Sequence, residues 1–88
     1  MSGESLIEYP CAFPIKIMGR SENAGFADAV LGVVLAHDPG FEASGMEMRA
    51  SREGKYISLT CTVNATSREQ IDSLYRELCD HPLVVMVL

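Results

Sequence analysis

The 88-residue chain has no tryptophan, and its seven Lys and Arg are outnumbered by twelve Asp and Glu, giving a formal charge of −5. Phosphate backbones and anionic lipid surfaces are held by clustered cations. An acidic chain whose cations are scattered along the sequence lacks that footprint, so neither nucleic acid nor a membrane is expected as a partner. Long apolar runs are missing too. The longest, near "AVLGVVLA" at 29–36, is about half of what a bilayer requires. "MSGESLIEYP" has no basic stretch followed by a signal-like apolar one. Cysteine is sparse and unpaired: Cys11, Cys61 and Cys79 form no C-x-x-C and no His-paired spacing. They read as reduced thiols, which sets the expectation of a cytoplasmic protein with no metal and no cofactor. What remains is 48% hydrophobic and 22% charged, ordinary for a globular chain. The length suits one two-layer domain, read as 9–88 after a flexible N-terminal segment over 1–8.

The periodicities divide the chain cleanly. "CAFPIKIMG" alternates, with Phe13, Ile15 and Ile17 on one face and Pro14, Lys16 and Met18 on the other. Pro14 lacks an amide hydrogen, so the strand is expected to start after it or to have incomplete pairing there, and to end at Gly19. Phe26, Val30, Val33 and Val34 then repeat at helical spacing. Ser21 or Asn23 is the expected cap, "DPG" at 38–40 the stop, and Gly32 a place where the helix lies close to a sheet. "GMEMRASREGKYISLTCTVNA" reads as a hairpin turning at "REGK". Its return strand puts Ile57, Leu59, Cys61 and Val63 on the core side and Ser58, Thr60, Thr62 and Asn64 on the other. Thr66 with Glu69, or Ser67 with Gln70, makes a capping box. Ile71, Leu74, Tyr75 and Leu78 follow as one buried stripe, opposite a charge ladder of Arg68, Asp72, Arg76 and Asp80. "PLVVMVL" closes the chain as a strand apolar on both faces.

The order β-α-β-β-α-β predicts an α+β ferredoxin-like sandwich: a four-stranded antiparallel sheet with both helices on one face. The other face is then left open. It would carry Lys16, Met18, Glu47, Arg49, Tyr56, Ser58, Thr60, Thr62, Val84 and Met86. An RNA-binding sheet of this kind needs stacked aromatics on its first and third strands, and here only Tyr56 is present. The loop after the first strand, "GRSENAG", has no cysteine pair for a metal and lacks the glycine-bracketed loop of acylphosphatases. Gly19, Arg20 and Ser21 ahead of a helix make a candidate anion seat. His37 and His81 each follow a helix beside an aspartate and have no nucleophile partner, so they read as dipole-complementing residues. Cys61 reads as a core residue. No catalytic residue is indicated.

"EYPCAFPIKIMG", "TVNATSREQIDSLYREL" and the terminal "VVMVL" together resemble the YbeD-like family of small bacterial proteins of unknown function, from about residue 5 to the end. The resemblance implies a fold close to the ACT-type regulatory domains and no assigned catalytic residues. It also implies gene neighbourhoods shared with lipoate-attachment enzymes. ACT-type domains typically bind amino acids near a glycine after the first strand, a place Gly19 matches. The expected function is a non-catalytic regulatory or protein-interaction module. It would act on a protein partner or a second copy through Lys16, Met18, Tyr56, Ser58, Thr60, Thr62, Val84 and Met86. The alternative is an ACT-like sensor of a small anionic metabolite at Gly19, Arg20 and Ser21.

Overall fold

A computed structural model describes residues 8–88, so the flexible segment expected over 1–8 lies, Glu8 apart, outside the described residues. The elements run β1 Cys11–Arg20, α1 Phe26–His37, a single 3-10 turn Ala43–Gly45, β2 Glu47–Ala50, β3 Tyr56–Ala65, α2 Arg68–Asp80 and β4 Val84–Val87. The strands form one sheet in the order β2-β3-β1-β4, with every neighbouring pair antiparallel. This is the expected ferredoxin-like α+β arrangement.

Alternation along β1 and β3 decides the two faces. Ile15, Ile17, Leu59, Cys61 and Val63 are buried with Phe26, Val30, Val33 and Val34 of α1 and Ile71, Leu74 and Leu78 of α2. Leu59, Leu74 and Leu78 are among the largest fully buried side chains. Truncating any of them to alanine costs about 2–5 kcal/mol. β1 does not start after Pro14: it pairs with β3 along its whole length, Pro14 lying opposite Thr62. Lys16 exchanges both backbone hydrogen bonds with Leu88 on the β4 side. Pro14, two residues earlier, turns its nitrogen the same way but lies beyond the end of β4, so its missing hydrogen breaks no ladder bond.

Five further expectations are corrected. Val84 does not point to the open face. The β1–β4 register shifts between Met18 and Gly19, so that Val84 rather than Val85 lies opposite Gly19 and packs on the core with Val87. One extra residue in a strand reverses the facing of everything before it. The cap of α1 is Gly25, with no side-chain hydrogen bond, and neither Ser21 nor Asn23 serves. β1 extends past Gly19 to Arg20, and the Asn23 carbonyl accepts from Phe26 N–H. Gly32 faces solvent with nothing near its missing Cβ, so it does not bring the helix closer to the sheet. Of the charge ladder on α2, only Arg68–Asp72 closes, at 3.9 Å.

Candidate functional site

The sheet surface opposite the helices is built in cross-strand rows. Glu47, Thr60 and Lys16 form one row. Arg49, Ser58, Met18 and Met86 form the next. Tyr56 and Arg20 form a third, with the guanidinium carbon of Arg20 5.8 Å from the centre of the Tyr56 ring, a cation–π contact. Ser58, Thr60, Met18 and Tyr56 are half-buried by their neighbours, whereas Lys16, Arg20, Glu47, Arg49 and Met86 are exposed. Two shallow depressions run together here. The larger, of ≈ 280 Å³, lies between Lys16, Glu47, Met48, Arg49, Ser58 and Thr60. The smaller, of ≈ 140 Å³, lies between Lys16, Arg49, Ser58, Met18 and Tyr56. Six of the eight residues expected on this face are therefore brought together; Thr62, opposite Pro14, lines a separate depression with Asp38, Phe41 and Asn64, and Val84 is not on the face.

Among the described residues, three pairs come within ion-pair distance: His37–Glu77, Lys55–Glu53 and Arg68–Asp72. None of them involves Lys16, Arg20 or Arg49. Among the described residues, the only side-chain hydrogen bond of Ser58, Thr60 and Thr62 is a long one, from Ser58 Oγ to the Arg49 carbonyl at 3.4 Å. The polar groups of the face are thus largely left to solvent or to a partner.

The candidate anion seat is dispersed. Gly19 is buried beneath Phe26, and a Cβ there would lie 2.4 Å from the ring. Its glycine is required by that packing. The Ser21 hydroxyl donates to the Gly54 carbonyl and the Ser21 amide to the Lys55 carbonyl, fastening the end of β1 to the β2–β3 turn. Arg20 lies over Tyr56, and α1 begins five residues after Ser21.

The polar residues weighed for chemistry have structural partners. His37 Nε2 meets Glu77 Oε1 at 2.7 Å, joining the end of α1 to α2, a contact between helices that sequence spacing cannot reveal. His81 Nδ1 accepts from the Leu83 amide at 3.1 Å. Cys61 is fully buried, and burial pushes its thiol from 9.0 up to about 11. Burial, and then the nearby Cys79, raises the Tyr75 phenol.

Two joints were missed or only half seen in the sequence. Asp38, the one buried charged side chain among the described residues, accepts from the Asn64 amide at 2.9 Å and holds α1 to the end of β3. The Ser67/Gln70 alternative is the capping pair that forms, with Gln70 N–H donating to Ser67 Oγ at 3.1 Å. The Gln70 side chain goes further. Its carbonyl accepts from the Thr66 amide at 2.6 Å, while its NH₂ donates to the His37 and Asn64 carbonyls.

Residues 4–88 match the model of a family described as "Protein of unknown function (DUF493)". The chain is 58% identical over 88 residues to a UPF0250 protein of Nitrosomonas europaea, covering 100% of both. It is 58% identical over 85 residues to one of Bordetella pertussis, covering 97% of this chain and 92% of the relative. In three dimensions it is similar to the solution structure of an H. pylori protein, with a TM-score of 0.69 at 17% identity over 93% of this chain and 85% of that one. It is also similar to the ACT domain from GTP pyrophosphokinase of Chlorobium tepidum, with a TM-score of 0.58 at 16% identity over 89% of this chain and 97% of that one. These two likenesses bear on the fold. No helix among the described residues is long and apolar enough to cross a membrane.

Proposed function

The chain belongs to the DUF493 family of bacterial proteins of unknown function, and from that premise we propose that it is a non-catalytic regulatory or interaction domain whose working surface is the open sheet face. One observation carries the reading: two helices cover one face of β1, β3 and β4, while the other face leaves the cations Lys16 and Arg49 without an ion pair among the described residues and Met86 exposed. Such mixed surfaces, apolar side chains set among polar ones, are what interfaces use. The placement of Cys61, His37 and His81 in structural roles supports the non-catalytic part.

The experiment is capture from source-cell lysate on the immobilised wild-type chain, beside Thr60→Trp. Thr60 lies between Glu47 and Lys16 in its row, so a tryptophan there blocks the face by bulk, without entering the core and without changing its charge. A protein retained by wild type and lost with Thr60→Trp is the expected result. Equal retention by both overturns the reading. The likeness to an ACT domain keeps a small-ligand sensor as a second reading; at the end of β1 the Arg20 guanidinium remains to meet an anion, while Gly19 is filled by Phe26 and Ser21 is tied to the β2–β3 turn.

A further inference from the structure

Cations that are scattered in sequence are gathered in space. On the open face, Lys16, Arg20 and Arg49 stand against a single strand carboxylate, Glu47. The helix layer has the reverse sign, with Asp28, Glu69, Asp72, Glu77 and Asp80 against Arg68 and Arg76. An acidic molecule that turns a net positive patch outward, with no ion pair to those three cations among the described residues, is electrostatically poised for an acidic partner. From this charge segregation we infer that the open face docks an acidic protein segment, with Lys16 and Arg49 as its anchors. The inference rests on the reading of that face as the working surface.

Shape favours a segment over a small molecule. A metabolite site encloses most of its ligand, whereas these depressions are shallow, confluent and flanked on both sides by exposed side chains. Together their linings run along β2 and β3 from Glu47 and Thr60 to Ser51 and Tyr56, and Lys16 and Arg49 lie diagonally across Ser58 and Thr60 of β3. An extended chain turns every second side chain toward the surface it lies on. A segment whose surface-facing positions include both carboxylates and apolar side chains would set the former on Lys16 and Arg49 and rest the latter on Met18, Tyr56 and Met86. Two copies meeting through their basic patches would repel each other, which disfavours a second copy in that arrangement.

The test is a titration of the isotope-labelled 88-residue chain with the eight-residue peptide Ser-Glu-Ser-Val-Ser-Glu-Ser-Val, whose glutamates and valines share one face when extended, read by NMR shifts. The same peptide with lysine for glutamate, and an eight-nucleotide single strand, serve as comparison probes. Shifts at Lys16, Met18, Arg49, Ser58 and Met86 are expected with the acidic peptide only. They should weaken with added salt and fall at least tenfold in affinity in the Lys16→Glu/Arg49→Glu variant. The milder Lys16→Gln/Arg49→Gln variant should lose affinity to an intermediate degree, and a preserved dispersed spectrum shows that each variant is folded. Equal binding of the acidic and lysine peptides on this face overturns the charge assignment and leaves the face reading standing. Stronger binding of the oligonucleotide overturns it in favour of nucleic acid. Shifts on the helices instead, or none with the acidic peptide, overturn the inference. If the charge-neutral Thr60→Trp still releases a captured protein in either of those cases, only the acidic chemistry has failed.

Discussion

Gly19 shows how a residue's chemistry can be misread until its neighbour is known. Position and type suggested a ligand glycine at the start of a loop, but the glycine makes room for Phe26. A methyl there forces the ring or the strand to move, so Gly19→Ala should cost about 1–3 kcal/mol, read from the urea midpoint. Gly32 is the opposite case: it is helical, exposed and free of neighbours, so Gly32→Ala should stabilise by up to about 1 kcal/mol. Cys61 carries the pH prediction. Its folded thiol holds its proton to about pH 11 while the unfolded one releases it near 9.0. The folded state therefore binds more protons between those values. Stability is intact below about 9 and falls above it, at up to about 1.4 kcal/mol per pH unit. Subtracting the pH profile of Cys61→Ala from that of wild type isolates this slope; parallel profiles would contradict it. In the native state Cys79, which is exposed, should react with a thiol reagent well before Cys61.

At the scale of elements, alternation and helical spacing made β1, β3, α1 and α2 legible, because each buries one side against a common core. What alternation cannot register is a bulge. In "PLVVMVL" every candidate residue is apolar, so no contrast marks where the register of β4 slips, and Val84 changes face unseen. β2 was legible as a strand but not as an uncovered one. Met48 points to the helix side yet is 59% exposed, since no helix reaches that edge. Joints between elements were the least visible, since they unite residues far apart in sequence. Gln70 is the clearest: the capping pattern announced its backbone partner, but not its bonds to the ends of α1 and β3. Gln70→Ala should cost about 1–3 kcal/mol, more than the roughly 1 kcal/mol expected for Ser67→Ala, as measured by thermal or urea unfolding.

The whole molecule is a half-covered sheet whose two outer surfaces differ in sign. The bare face was deducible from element order alone, and most of its residues from the alternation of β1 and β3. Its charge was not, because Lys16, Arg20 and Arg49 come from two strands separated by a helix and meet only when β3 lies between β1 and β2. An acidic total conceals a basic patch of this kind. The methionines offer a direct test of the central claim that this face does the work. Met18 and Met86 lie on it, while Met46 packs against the core. With the methionine methyl groups labelled and the protein placed in extract of its source cell, the signals of Met18 and Met86 should shift or broaden while Met46 stays unchanged. Perturbation of Met46 with Met18 and Met86 left untouched would contradict the account.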